Sequence, residues 1–224
     1  MEYSLSKAFI DNIGEEAISI AEMTSDVSMK VLLEDSIIAE IPFVSAAVSI
    51  YRIGKNVREL HHVRQLMRFI NEIENETASD EARKEYLEKY MERDNKTRDK
   101  ELEYVVLITS QYINEDKPMY LARLYYSYIM GEIDWESFVS YSEVLNRFLP
   151  RDIETMKGGD RHGIGNSDVS DSLIRLTSLG LFIAISESVA INNTTGTLTI
   201  PDSNIKDYKL TEFGRKMQEC LWSI

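Results

Sequence analysis

Apolar residues recur every three or four positions along most of the chain before Pro150, the spacing of helices that bury one face. This pattern predicts one helix from Leu5 to Met23 and a second from Asp26 to Glu40. Pro42 then marks a boundary, because a proline disfavours helical geometry in the residue before it. Beyond it, the apolar spacing predicts a long helix that bends at Gly54.

The charged interval from Asn71 to Glu103 carries only a narrow apolar stripe, which predicts an exposed helix between two turns. Start and stop signals for two further helices follow it. Asp116 and Pro118 predict the beginning of a helix that ends at Gly131, since proline is tolerated in the first turn and glycine after the last. Asp134 is the predicted cap of the next helix.

The stretch from Gly158 to Asp168 holds four glycines and several turn-forming residues, so it predicts a flexible linker. We therefore expect a helical N-terminal domain over residues 1–157, a linker over 158–168 and a small domain over 169–224. The expected fold class is mainly α, with a winged-helix-like α+β domain at the C-terminus. Its predicted elements are a helix over Val169 to Leu179, strands over Phe182 to Ile185, Ser188 to Ile191, Thr197 to Ile200 and Tyr208 to Leu210, and a helix from Thr211.

The end of the chain has the order helix, Leu-Gly-Leu, hairpin, Tyr-x-Leu-Thr-x-x-Gly, helix, and the residues of these two motifs are Leu176, Leu179, Gly180, Leu181, Tyr208, Leu210, Thr211 and Gly214. This order resembles the end of bacterial winged-helix domains. In such domains the helix before the Leu-Gly-Leu turn often enters the major groove of DNA. The resemblance implies a recognition helix, with candidate contact residues Asp171, Ser172, Arg175 and Thr177.

The charge of the chain argues against nucleic-acid binding. The formal net charge is −13, from 38 acidic and 25 basic residues. Residues 158–224 carry six bases and eight acids, and the hairpin from Ser186 to Pro201 has no lysine or arginine. Arg175 is the only long cation between Val169 and Leu179, and Asp171 stands one turn before it, within reach of an ion pair. Because DNA-contacting surfaces are normally basic, nucleic acid is a disfavoured partner.

Residues 37–51 form the most apolar run of the chain, which is too short for an ordinary membrane span. The segment over residues 52–68 follows, with five bases against Glu59 alone. An apolar segment followed by a basic helix is able to dock on anionic lipid. The alternative is that residues 37–53 lie in the core while the bases offset the acidic helix after them. The candidate membrane or phosphate contacts are Arg52, Lys55, Arg58, Arg64 and Arg68.

Several segments spread over the whole length carry a second resemblance. They are Leu33-Glu34-Asp35 before Glu40-Ile41-Pro42 and the apolar run, Trp135-Glu136-Ser137-Phe138, Leu145-Asn146-Arg147 and the terminal Tyr-x-Leu-Thr. Together they resemble a family of small, largely uncharacterised bacterial proteins associated with phage defence and abortive infection. This resemblance implies a biological setting more than a mechanism.

No set of residues predicts catalysis, a metal site or a cofactor. His61 and His62 are adjacent, so on a helix they point about 100° apart and do not ligate one metal ion. The glycines of residues 158–165 follow no predicted strand and precede no Lys-Ser or Lys-Thr, which argues against a phosphate-binding loop. Aromatic residues between Tyr120 and Tyr141 are expected to pack two adjacent helices together. Cys220 lies beside apolar residues and is expected to be a buried thiol.

These patterns support one leading hypothesis and two alternatives. The leading hypothesis is a non-enzymatic bacterial interaction protein, a sensor or adaptor in phage defence, whose winged-helix-like domain binds a protein partner or a second copy. The alternatives are a membrane-acting effector that uses residues 37–68 and a transcriptional regulator that reads DNA through Asp171 to Thr177. With one cysteine and no start typical of a secretion signal, the chain is expected in the cytoplasm, or peripheral to the inner face of the membrane.

Overall fold

The computed structural model describes residues 4–14, 41–53, 56–165, 169–186, 190–192, 197–199 and 205–222. The described part is mainly helical, with a small antiparallel sheet near the C-terminus, which confirms the predicted fold class. The chain divides into two compact units, Met1–Asn146 and Arg147–Ile224. The predicted helix from Asp26 to Glu40, the second half of the one from Leu5 to Met23, and Gly54 lie outside the described residues.

The first unit contains seven helices among its described residues, and the sequence marks the start of most of them. Asn56 and Glu59 form a capping box, in which each side chain accepts a hydrogen bond from the backbone N–H of the other. Pro118 stands in the first turn of its helix, as predicted. The helices are α1 Leu5–Ile13, α2 Pro42–Tyr51, α3 Val57–Glu76, α4 Asp80–Met91, α5 Asn95–Thr109, α6 Lys117–Ile129 and α7 Trp135–Asn146.

The single long helix predicted after Pro42 is two helices, α2 and α3. Arg52, directly after α2, adopts the left-handed conformation with φ 52° and so ends the hydrogen-bonded helix. Asn56 then caps the first free N–H groups of α3. The apolar spacing continues across the break, which is why the sequence pattern alone did not reveal it.

In the first unit, side chains of one helix accept hydrogen bonds from groups at the start of another helix. Asn12 Oδ1 of α1 accepts a hydrogen bond from Phe43 N at 2.6 Å and so caps α2. Asp99 Oδ1 of α5 accepts from Ser4 Oγ and Ser6 N, each at 2.8 Å, at the start of α1.

The aromatic residues predicted to join two helices do so across α6 and α7, with ring centroids 5.2 to 5.9 Å apart: Tyr125, Tyr128, Trp135 and Phe138.

The second unit places helices around a small sheet. Its elements are α8 Pro150–Lys157, β1 Arg161–Gly165, α9 Asp171–Ser178, β2 Phe182–Ser186, β3 Ala190–Asn192, β4 Thr197–Thr199, β5 Ile205–Leu210 and α10 Glu212–Leu221. Strand β5 is central in a three-stranded antiparallel sheet of order β1-β5-β2, and β3 pairs with β4 as a separate hairpin. The helix, the strands and the last helix predicted after Asp168 are therefore confirmed in type and order.

The glycine-rich stretch differs from its predicted role as a linker. The two units divide between Asn146 and Arg147, whereas the glycine pattern predicts the boundary at residues 158–168. Residues Arg161–Gly165 form β1, which pairs with β5, and Asp160 Oδ1 accepts a hydrogen bond from Leu210 N at 2.8 Å. Because the partner strand supplies these hydrogen bonds from 40 or more residues away, local composition does not reveal the strand.

Candidate functional site

The Leu-Gly-Leu and Thr-x-x-Gly motifs meet in the second unit. Gly180 has φ 77° and turns the chain out of α9 into the buried Leu181. Thr211 caps α10, since its Oγ1 accepts from Gly214 N at 2.9 Å while its own N–H donates to Leu181 O at 3.0 Å. A Cβ atom at Gly214 would collide with the Leu181 carbonyl. The two motifs therefore form one packing contact that joins α9, β2 and α10.

Part of the predicted DNA-contact surface of helix α9 is buried in the structure. Ser172 is buried together with Leu173 and Leu176. Thr177 Oγ1 donates to Leu173 O of the same helix at 2.8 Å. Asp171 is exposed in the first turn. Of the four candidate contact residues, only Arg175 carries a positive charge, so its environment decides what α9 is able to bind.

Arg175 is bound to a carboxylate of α8. Its Nε and Nη2 donate to Oδ2 and Oδ1 of Asp152, each at 2.7 Å. The Asp152 side chain is fully buried, and that of Arg175 is 30% exposed. Asp152 Oδ2 also accepts from Leu149 N at 2.7 Å. This two-point geometry is the strong form of the arginine–carboxylate contact.

The electrostatics of the pair keep Asp152 charged. Burial by itself raises the pKa of this carboxyl, but the hydrogen bonds from Arg175 and from Leu149 N outweigh burial and hold the pKa below its usual range. The hydrogen bond to Asp152 likewise raises the pKa of Arg175. Moving the guanidinium to a DNA phosphate would leave a buried carboxylate without its partner, which is costly. Arg175 therefore serves the packing of α8 against α9.

Strand β2 presents two large apolar side chains to solvent. Ile183 and Ile185 are 53% and 41% exposed, and they share one face because side chains alternate along a strand. Among the described strands, β2 is an edge of the three-stranded sheet. The segment Phe182–Ser186 contains no charged residue and no proline, although natural edge strands usually carry such protective residues. An uncharged apolar edge of this kind is suited to pairing with another strand.

The five bases proposed as lipid or phosphate contacts do not form one free surface. Arg64 and Arg68 of α3 lie 3.5 and 2.6 Å from Glu115 carboxylate oxygens, and Arg68 also lies 3.7 Å from Asp116. These pairs tie α3 to the turn before α6. Of the other three, Arg52 and Arg58 are exposed, and Lys55 lies outside the described residues.

The described part of the apolar run belongs to the core of the first unit. Phe43, Val44, Ala46 and Ala47 of α2 are fully buried, whereas Ile50 at the end of the helix is 42% exposed. This arrangement is the one expected if the run packs inside the protein. Among the described helices, none is both long enough and apolar enough to cross a bilayer.

The two adjacent histidines bind backbone carbonyls in the last turn of α5 and just after it. His61 Nε2 lies 2.9 Å from Tyr112 O, and His62 Nε2 lies 2.9 Å from Val106 O. Burial lowers the pKa of His62, although the hydrogen bond to Val106 opposes this shift. Within the described ranges, no group of three or more His, Cys, Asp or Glu side chains is placed to hold a metal ion.

Two features of the site are not indicated by the sequence pattern. Asp152 is 23 residues away from Arg175 in the chain, so only the fold brings them together. The uncharged segment FIAIS only weakly indicates the exposed face of β2, because its alternation does not tell which face of the strand is covered.

Comparison of the chain with protein-family models, with curated proteins and with solved structures found no match.

Proposed function

We propose that this chain is a non-enzymatic interaction protein whose second unit binds protein through the edge strand β2. The observation that carries the proposal is the exposure of Ile183 and Ile185 on an uncharged edge strand. Such an edge offers both backbone hydrogen bonds and apolar contacts to an added strand. A sensor or adaptor role in bacterial phage defence, in the cytoplasm, is proposed from the family resemblance alone.

The environment of α9 favours protein over DNA as the partner. Its only long cation, Arg175, is bound to the buried Asp152, and the chain as a whole carries a net charge of −13. A phosphate backbone is repelled by such a charge unless a basic patch opposes it. The winged-helix-like order of elements is thus used here for a protein contact.

A second copy of the chain is the partner that fits β2. If two β2 strands pair antiparallel about Ala184, Ile183 of one copy stands opposite Ile185 of the other on the same face of the sheet. The contact is self-complementary, as a two-fold interface requires. No like charges meet within Phe182–Ser186, because the segment has none. The pairing would extend the sheet from three strands to six.

Sedimentation velocity over a wide range of protein concentration tests this proposal. The wild-type chain is expected to form a dimer as its concentration rises, and Ile183→Lys or Ile185→Lys to remain a monomer. Ile113→Lys is the matched control, because Ile113 is 90% exposed but belongs to the first unit. A wild-type chain that stays monomeric, or a dimer that survives both lysine substitutions, would refute pairing through β2.

A separate titration tests the choice of protein over DNA. Binding of genomic DNA fragments at low salt is expected to be absent for the wild type. If DNA is bound and Arg175→Ala abolishes the binding while circular dichroism shows that the variant is still folded, α9 is a recognition helix, and the proposed role of the second unit is wrong.

A further inference from the structure

Four tyrosine hydroxyls in the described part of the first unit are buried without a hydrogen-bond partner, and three of them lie on α4 and α6. Tyr86 and Tyr90 of α4 and Tyr125 of α6 are each 0% exposed. Their hydroxyl oxygens make no hydrogen bond in the structure. The rings of Tyr86 and Tyr90 are nearly parallel, with centroids 6.4 Å apart. Buried polar groups in native proteins are nearly always bonded, so three such hydroxyls on two adjoining helices require an explanation.

Two charged groups that contact Tyr128 are also incompletely bonded. Glu101 of α5 accepts a hydrogen bond from the Tyr128 hydroxyl through Oε1, and its Oε2 lies 3.9 Å from Arg93 Nη1. Neither Glu101 Oε2 nor Arg93 Nη1 has a hydrogen-bond partner. The guanidinium lies 4.1 Å above the Tyr128 ring and donates from Nη2 to the Tyr128 carbonyl at 3.2 Å, so the position of Arg93 is fixed.

The five groups share one region of the unit. Tyr90 and Tyr125 both pack against Phe9, with ring centroids 5.2 and 6.0 Å from the Phe9 ring. Tyr125 also packs against Tyr128, with ring centroids 6.0 Å apart. The cluster therefore combines hydroxyls that both donate and accept with one carboxylate acceptor and one guanidinium donor. A water molecule uses this mixture fully, because it donates two hydrogen bonds and accepts two.

We propose that the hydroxyls of Tyr86, Tyr90 and Tyr125, together with Glu101 and Arg93, bind one or more buried water molecules between α4, α5 and α6. Buried waters in proteins typically make about three hydrogen bonds to groups that otherwise lack partners. Water suits the site better than a larger molecule, because all three rings are fully covered. The bound water joins three helices and so fixes their relative register. This inference is independent of the proposed function of the second unit.

Water-to-protein nuclear Overhauser effects test the proposal on the purified full chain. Long-lived water is expected to give cross-peaks to the ring protons of the three tyrosines, which are specifically labelled. The single substitutions Tyr86→Phe, Tyr90→Phe and Tyr125→Phe are each expected to weaken these cross-peaks. Tyr104→Phe is the control, because its hydroxyl has a protein partner, Ser142 Oγ, at 2.6 Å, and the cross-peaks should persist in it.

Urea unfolding of the same variants gives a second readout. If the hydroxyls bind water, each of the three substitutions should raise the unfolding equilibrium constant about fivefold, the effect of losing one hydrogen bond. Pairs of substitutions should be less than additive, since the hydroxyls share the bound water. Substitutions that leave stability unchanged or increase it would overturn the proposal, as would the absence of cross-peaks to long-lived water in the wild type.

Discussion

Arg175 and Asp152 form a two-point ion pair in which both N···O distances are 2.7 Å and the carboxylate is fully buried. The pair lies between α8 and α9, the helix that precedes the Leu-Gly-Leu turn. In a DNA-reading winged helix, this helix supplies residues that contact DNA. Here the one long cation of this helix is bound to Asp152 inside the unit.

The first prediction concerns this pair. Asp152→Asn should lower the free energy of unfolding by about 2 kcal/mol, because a fully buried carboxylate loses its charge-assisted hydrogen bonds. Urea unfolding followed by circular dichroism measures the loss. Glu219→Gln is the control, since Glu219 is 58% exposed and lies 3.6 Å from Lys216, and surface pairs of this kind contribute at most about 1 kcal/mol.

The pH dependence of the same variant gives an independent check. The pKa of Asp152 is lowered in the folded protein, so its stabilising effect is present above the ordinary carboxyl pKa and is lost as the pH falls through the lowered value. The stability difference between wild type and Asp152→Asn should therefore shrink below about pH 4. A difference that stays constant down to the acid transition would contradict the assigned ionisation.

The second prediction concerns Gly214. Gly214→Ala should destabilise the protein by about 2 kcal/mol, because its methyl group would collide with the Leu181 carbonyl and push α10 away from β2. Thermal unfolding measures the effect. Gly131→Ala provides the comparison, since nothing lies within 4 Å of a Cβ there and only the strain of its φ of 80° remains. If Gly214→Ala is as stable as the wild type, the close approach of α10 to Leu181 is not required.

The third prediction concerns the pH response of His62. Burial lowers the pKa of this imidazole in the folded protein, so the unfolded chain takes up its proton first as the pH falls. The contribution of neutral His62 to the free energy of unfolding is therefore fully present above about pH 6.5 and declines below that value. Between neutral and mildly acidic pH, the melting temperature of His62→Gln should fall by less than that of the wild type. Equal losses in the two proteins would show that His62 does not cause the decline.

The fourth prediction concerns lipid. Flotation with anionic and with neutral liposomes is expected to leave the wild-type chain unbound in both cases. The reason is that Phe43 and Val44 of α2 are buried, while Arg64 and Arg68 of α3 pair with acidic residues. Salt-sensitive flotation with anionic liposomes, lost after charge reversal at Arg52 and Arg58, would instead identify a membrane-acting effector.

Local signals in the sequence predicted the elements that depend on them. Asp116, Pro118 and Gly131 outline α6 correctly, because caps and prolines act within a few residues. The Leu-Gly-Leu and Thr-x-x-Gly motifs likewise predicted the order of elements in the second unit. Strand β1 was missed, because its pairing with β5 comes from residues far away in the chain.

The candidate site was less predictable than the fold. The sequence identifies Arg175 as the one long cation of α9 and predicts Asp171, one turn before it, as its partner. The observed partner, Asp152, belongs to a different helix, and only the tertiary structure brings it to the guanidinium. The sequence likewise does not predict which face of β2 is exposed, because the alternation of side chains along a strand defines two faces without showing which one is covered.

Disulfide cross-linking through β2 tests the central claim most directly. In the proposed pairing the two Ala184 residues face each other, and opposite residues in antiparallel strands have Cα atoms about 4.5 to 5.5 Å apart, within disulfide range. Ala184→Cys should therefore form a covalent dimer on mild oxidation, and adding Ile185→Lys should prevent it. Ser178→Cys, at an exposed position of α9, is the control and should remain a monomer. If Ala184→Cys cross-links no faster than Ser178→Cys, then β2 is not the interaction strand.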